Sequence, residues 1–517
     1  MIQKSIMTVA TLLLSAITMA QTIIYVDADA TGNSDGTSWT NAYNDLYVAL
    51  YASSNDPVYT GAQIWIAEGF YTRLSQNQTF DVNNDVLLYG GFEGTESSID
   101  ERDIENHPTI ISGDVDWNDT GIPSSSNLSM GQNAANIFRV LSPTRALFDG
   151  LIIEHAFSTT ASGGGIKITN EQLSNLEISN CNIRETVSSN RAGVLYYTSQ
   201  PSSFYMFNNI IENNVNTDMS SSYTVEYRIT GGAAISSIYG EVHVVNNLFK
   251  NNSSDSPLWG GTCGRFTMLS AGSEIDLYLT NNTFIDNEQG IDLPSLFAYE
   301  LGANNTEISA HINNNIAFNN PQTTSIIAPS TGFTSGFEVN GNSSSENVLD
   351  FTDTYGMTNT HTITSSPFTD YANGDYTPVT AYQTNGNLTM YGDQLLDNAI
   401  FGQAYPTTDL AGNPRFNSQG ELAIGAYQPD GSASLSGGQS TSDFVLYPNP
   451  VSDVLNIDFS KNVAGELILY SIAGNELSRE PINGISKKML LDNIPNGSYF
   501  VKIETKEKIY TEMITVK

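Results

Sequence analysis

Cysteine is nearly absent from this chain: Cys181 and Cys263 are the only two in 517 residues. That excludes a disulfide-stapled scaffold, and a chain this long can bury a sufficient core without staples. Basic residues are scarce as well, with 20 Lys and Arg against 55 Asp and Glu and a net charge of −35. Such a field repels polyanions, which excludes nucleic acid and anionic membrane surfaces and leaves divalent cations, neutral glycans and cationic surfaces as partners. Beyond the first 20 residues no run reaches the ~20 apolar residues of a membrane span. Histidine is thin too: the five present are scattered without metal-ligand spacing, so none is given a role and no metal site is expected. Asp27, Asp29, Asn33 and Asp35 alternate as oxygen ligands would, but lack the spaced Gly and terminal Glu of a helix–loop–helix calcium site. The expectation there is a polar capping turn and no cofactor, with structural calcium as the alternative. Long Ala/Leu/Glu-rich amphipathic stretches and leucines at fixed offsets are also missing, which excludes helical solenoids and leucine-rich repeats.

What the chain has instead is asparagine in a recurring phrase. FDGLIIEH, SNCNIRET, FNNIIENN, VNNLFKNN, TNNTFIDN and NNNIAFNN place their second residue at Asp149, Asn180, Asn208, Asn246, Asn281 and Asn314, with spacings of 31, 28, 38, 35 and 33. Self-similarity at such a period predicts a stacked repeat. Short alternating runs beside each phrase, such as VHVV and DLYL, make the unit a set of strands. Each strand then pairs in parallel with its equivalent one coil later, and equivalent asparagines stack into amide ladders. The apolar residues Ile152, Ile183, Ile211, Phe249, Phe284 and Ala317 are expected to form the inward column. Cys181 takes the ladder position of Asn209 and Asn247, so it should be buried. Nearly three coils separate it from Cys263, which argues against a bridge.

Gly165, Gly193 and Gly231 lie 15 residues before Asn180, Asn208 and Asn246, so that segment should be constant in length. The return segment grows by ten residues between the second and third coils. The extra chain, placed in NVNTDMSSSYTVEYRIT (214–230), should protrude and mark a working face.

The ends carry an address. Lys4, the apolar stretch Ile6 to Ala20 and the small-residue exit Thr18-Met19-Ala20 make residues 1–20 a secretory signal peptide. Residues 21–430 form the repeat domain with its N-terminal cap, and 431–443 a Gly/Ser linker. Residues 444–517 read as short alternating strands, with 8 basic and 9 acidic residues where the rest of the mature chain has 11 and 46. That shift marks a separate small β-sandwich.

The repeat, its opening YVDADATGNSDGTSWTNAYNDLYVAL, the early TIISGDVDWND and the closing DLAGNPRFNSQGELAIGAYQP resemble secreted right-handed parallel β-helix proteins of environmental bacteria, over roughly Tyr25 to Pro429. This resemblance implies an all-β solenoid followed by an immunoglobulin-like sandwich, and leaves activity open. The C-terminal segment resembles the type IX secretion sorting domain of Bacteroidetes. It does so through Tyr447-Pro448-Asn449-Pro450, Gly474 in its Ala-Gly-Asn turn, Gly497 with Tyr499, and Lys517. That likeness implies handling by the type IX machinery and a secreted or outer-surface location.

No complete catalytic set is identified. Asn216-Thr217-Asp218 is similar to part of a polygalacturonase motif whose other parts are absent. Arg184, Glu212 and Lys250 share one position in successive repeats and form an outward column, either a uronate site or a solvated ion-pair ladder. Tyr223, Tyr227 and Arg228 in the protruding loop, with Trp259 and Arg265 one coil later, suit sugar stacking and carboxylate pairing or, alternatively, pack the loop onto the coil. The leading reading is a non-enzymatic surface scaffold that binds an extracellular polysaccharide or another surface, as adhesins do. The alternative is a polysaccharide lyase or glycoside hydrolase.

Overall fold

The computed structural model describes residues 22–119, 122, 130, 132–158, 164–168, 173–188, 194–196, 202–216, 234–235, 240–254, 263–268, 274–289, 295–301, 307–320, 325–329, 337–340, 343–345, 361–362, 366–379, 406, 408–415, 425–428, 444–447, 451, 454–471, 476–491, 494–495, 497–505 and 509–516. Residues 1–20, expected to be a signal peptide, and 431–443, expected to be a linker, lie outside them. The chain divides into two compact units, Met1–Asp430 and Gly431–Lys517.

The first unit is a parallel β-helix. Among the described residues, two ten-stranded parallel sheets run its length. In successive coils the first sheet takes Arg145–Asp149, Asn175–Ser179, Ser202–Phe207 and Gly240–Val245, and the second takes Leu151–Glu154, Asn182–Arg184, Ile210–Glu212 and Leu248–Lys250. One or two residues join the two sheets in each coil, and the first of them makes a left-handed corner. The corner residue is Gly150, Asn180, Asn208, Asn246, Asn281 or Asn314, and all six have φ between 52° and 75°. A second left-handed corner follows at His155, Glu185, Asn213, Asn251, Asp286 and Asn319. Asparagine tolerates this region better than other side chains, which is why it recurs.

The residue after each corner turns inward and builds the ladders. Asn209, Asn247, Asn282 and Asn315 form one, with each amide nitrogen donating to the next amide oxygen at 2.9–3.0 Å. Asn214, Asn252, Asn287 and Asn320 form the other at the same spacing. Each oxygen also accepts the backbone N–H of the preceding rung, as Asn247 does from Asn209 at 2.9 Å. Buried turns that would strand backbone donors are satisfied in this way.

Strand register corrects the first repeat. Ile183 pairs with Ile153 on one side and Ile211 on the other, so the inward column begins at Ile153 and not at Ile152. Asp149 pairs with Ser179, which makes Gly150 the equivalent of Asn180. Glycine takes the left-handed corner there, and the first spacing is therefore one shorter than the asparagine phrase suggested. The glycine mark also slips. Leu195 pairs with Ala234, whereas Ser202 pairs with Gly240, so that segment loses one residue in the third coil. Of the stretch 214–230 read as extra chain, Asn214 is a ladder rung and Val215–Asn216 a strand of the coil wall, while 217–230 lies outside the described residues.

Cys181 and Cys263 are free and buried, and burial pushes the Cys181 thiol up to about 12. Its backbone N–H donates to Asn209 Oδ1 at 2.9 Å, and its sulfur sits 3.5 Å from Phe148 O. That carbonyl is the counterpart of Ile178 O, to which the Asn209 amide donates. Cys181→Asn therefore extends the ladder by one rung. It is expected to stabilise the chain by about 1 kcal/mol in urea denaturation, and a loss of stability would show that the first coil does not accept the amide.

The N-terminal end carries a feature absent from the sequence reading, the helix Leu46–Asn55. Leu46, Ala49, Leu50 and Ser53 are its buried face, Asp45 caps it by accepting from Tyr47 N, and its leucines join the core cluster of the coils.

The second unit is a small antiparallel sandwich. The strand Val454–Ser471 pairs through its first half with Phe444–Tyr447 and through its second half with Gly497–Thr505, and its register with Glu476–Leu490 shifts between Asp458 and Val463. The bend lets one strand serve two faces around a core of Leu455, Ile457, Leu467, Leu469, Val501 and Ile514.

Candidate functional site

Strands of the second sheet alternate sides, so while Ile183 points into the core, Asn182 and Arg184 point out. Register aligns two outward rows. One runs Ile152, Asn182, Ile210, Leu248, Thr283, Ile316, and the other Glu154, Arg184, Glu212, Lys250, Ile285, Phe318. Toward the later coils these rows are covered: Leu248, Ile285 and Ile316 cluster with Phe368, Tyr376, Leu410 and Tyr427. Toward the earlier coils they are open.

The open part is the floor of a cleft of about 730 Å³. Ile152, Asn182 and Ile210 lie at its base, Asp103, Glu105 and Pro108 on one side, and Thr408 to Gly412 on the other. Both walls are braced. Arg102 donates to Ile99 O, Gly90 O and the buried Asp149. Asp409 accepts from the backbone of Ala411, Asn413 and Gln428. Along the rim the corner asparagines link hand to hand: Asn180 donates to Asp149 at 2.8 Å, Asn208 to Asn180 at 3.4 Å, and Asn246 to Thr408 O at 3.1 Å.

The charges beside this floor are paired. Arg184 donates from Nε and Nη2 to Glu154 Oε2 at 2.8 and 2.6 Å. Lys250 Nζ is 3.6 Å from Glu212 Oε2, and Glu212 Oε1 accepts from Asn182 Nδ2 at 3.1 Å. The column of Arg184, Glu212 and Lys250 is therefore two ion pairs with Glu154 as the added member. Lys250 also stands 5.9 Å from the Tyr376 ring centroid, against the covering segment.

Of the other residues singled out in the sequence, Tyr223, Tyr227, Arg228 and Trp259 lie outside the described residues. Arg265 sits on the strand Gly264–Met268, paired with Ala298. In the N-terminal turn, Asp27 Oδ1 accepts from Asp29 N and Asp35 Oδ1 from Thr37 N, at 2.9 and 3.0 Å. In the second unit Tyr447 pairs with Asn456 and Gly497 with Val516, and the buried Tyr499 donates its hydroxyl to Pro495 O at 2.7 Å. Pro448, Asn449, Pro450, Gly474 and Lys517 lie outside the described residues.

Residues 445–517 match the family described as the Secretion system C-terminal sorting domain. The chain is thus handled by the type IX secretion machinery and is secreted or held at the outer cell surface. Among the described residues no helix is long and apolar enough to cross a membrane. No curated protein matches the sequence. Among solved structures the chain is similar to pectate lyase Pel9A, with 12% identity over 71% of this chain and 85% of that one and a TM-score of 0.35.

Proposed function

We propose that this exported β-helix is a binding scaffold whose cleft over Ile152, Asn182 and Ile210 takes a segment of a neutral extracellular polysaccharide. The observation that carries the reading is the pairing of charge beside an open floor. Arg184 is held by Glu154 and Lys250 by Glu212, so the surface offers amides and apolar patches rather than a basic pocket for uronates. Sugars suit such a floor, since their C–H faces lie on aliphatic side chains while hydroxyls meet amides. A lyase needs a cation that neutralises the substrate carboxylate and a free base, and the described basic residues at this cleft are committed elsewhere.

The test is retention of the mature chain on immobilised neutral and uronic polysaccharides, with product absorbance and reducing ends followed in parallel. Retention on neutral glycans is expected, and Ile152→Trp, which fills the cleft without touching the ion pairs, should weaken it at least tenfold. Turnover of a uronic polymer would instead make the protein an enzyme. Retention unchanged by Ile152→Trp would move the site elsewhere.

A further inference from the structure

The coil that opens the repeat brings together three residues from two separate stretches of the chain, Asp114 and Asp119 from one and His155 from the other. Thr109–Ser112 pairs in parallel with Leu151–Glu154, with Ser112 opposite Glu154. The residues that follow each strand therefore leave the sheet side by side. Gly113 N donates to Glu154 O at 2.8 Å, and a Cβ at Gly113 would stand 2.5 Å from His155 O. Only glycine permits that approach. Asn133 ties the parts together, donating to His155 O at 2.7 Å and to Asp119 Oδ2 at 2.6 Å. As a result one ligand atom each from Asp114, Asp119 and His155 lies within 4.8 Å of the others.

Two further observations point to a ligand. First, Asp119 Oδ1 is buried and has no hydrogen-bond partner, on a side chain only 5% exposed. A buried carboxylate oxygen left unsatisfied is expensive unless a cation meets it. Second, the His155 imidazole is already oriented. Its Nε2 is 2.8 Å from Glu185 Oε2, while Nδ1 faces Glu154 Oε1 at 3.8 Å and Asp119 Oδ2 at 4.0 Å. In the neutral tautomer that gives Nε2–H to Glu185, the Nδ1 lone pair faces carboxylate oxygens at separations too long for hydrogen bonds. A carboxylate holding the far nitrogen of a ligand histidine is the usual outer shell of a metal site.

We propose that Asp114, Asp119 and His155 bind a divalent cation of the zinc class, with Glu185 as the outer carboxylate that positions the imidazole. The donor set selects the ion. One imidazole nitrogen and two carboxylates suit zinc and its neighbours, whereas calcium takes six to eight oxygens and magnesium keeps most of its water. Glu154 stands close enough to complete the ring of negative charge, but its Oε2 is engaged by Arg184.

The experiment starts from full-length protein stripped with chelator and titrated with zinc chloride by calorimetry, with metal content measured after gel filtration. One tightly held zinc per chain is expected, with a raised melting temperature. His155→Asn preserves the left-handed corner, since asparagine occupies the same corner at Asn213, Asn251 and Asn319, and should abolish the tight event. Asp119→Asn should do the same, and Glu185→Gln should weaken it tenfold or more. The absence of a tight event, or one unchanged in both His155→Asn and Asp119→Asn, would overturn the proposal and leave only loose zinc on an acidic surface. Cobalt loading of the unmodified protein gives an independent readout. A visible band of low-symmetry nitrogen–oxygen coordination is expected, and a purely aquo spectrum would overturn the assignment even if a variant failed to fold.

Discussion

Asn247→Ala is expected to lower stability by roughly 3 to 5 kcal/mol, a large effect for a residue that touches no ligand. Its amide nitrogen donates to Met206 O at 2.9 Å and to Asn282 Oδ1 at 3.0 Å, and its oxygen accepts from the backbone and the side chain of Asn209, both at 2.9 Å. Alanine removes all of these at once and leaves the Asn209 backbone N–H and one of its two amide hydrogens without partners in a dry interior, the other still reaching Ile178 O. Buried groups stranded in this way carry their full desolvation penalty, and a chain of polarised amides loses more than one link's share. The neighbouring substitution Asn246→Gly is the control, because glycine fits the left-handed corner and the side chain lost there links only rim groups. Hydrogen exchange should show lost protection spreading from Asn209 to Asn282 in Asn247→Ala, since a solenoid couples mainly nearest neighbours. Exchange confined to Asn247 itself would mean that the ladder is ornamental.

Glu177→Gln is expected to stabilise the protein, by an amount that depends on pH. The side chain is fully buried on the first sheet, its Oε2 has no hydrogen-bond partner, and Oε1 accepts only from Ser179 at 3.2 Å. Burial, with the Asp149 charge nearby, pushes its pKa from 4.5 to about 8. In the unfolded chain the group ionises near its ordinary value, while in the fold it keeps its proton. Between those two values the folded state binds the extra proton, so stability is full below the unfolded pKa and falls as pH rises toward 8. Glutamine holds the neutral shape throughout. The variant should match the parent at pH 4 and exceed it by roughly 4 kcal/mol at pH 8, read from denaturation midpoints across that range. A constant difference at all pH values would show that Glu177 is not the titrating group.

Much of the repeat was legible because asparagine serves two purposes at adjacent positions: the first residue of the pair takes the corner and the second the ladder. Where the chain uses another solution, the reading slipped. Gly150 takes the corner without an asparagine, which moved the first repeat by one residue. That one-residue slip also hid Glu154, since the same offset from Asp149 lands on Ile153, and the charge column appeared to start at Arg184. The residues that bound the cleft were illegible for a different reason. Asp103 and Asp409 lie some 300 positions apart, and no local pattern announces that chain as remote as Thr408 to Gly412 returns to the face of the early coils. His155 likewise lacks sequence-adjacent ligands, and only parallel stacking sets it beside Asp114. The short run Gly113 to Asp119, rich in aspartate after a strand, was the available hint.

From Gly150 to His155, Asn180 to Glu185, Asn208 to Asn213, Asn246 to Asn251, Asn281 to Asp286 and Asn314 to Asn319, the chain always advances five positions. This stretch behaves like a reading frame. Deleting or inserting a single residue between the corners would exchange the two faces of the strand, turning Ile211 or Phe249 outward and pulling a charged neighbour in. The rest of each coil has no such frame, as the unequal spacings of the repeats attest. Diversification by length is thus barred from one short arc and open on the other, and it is on the open arc that a peptide or a whole domain could be spliced in without disturbing the stack.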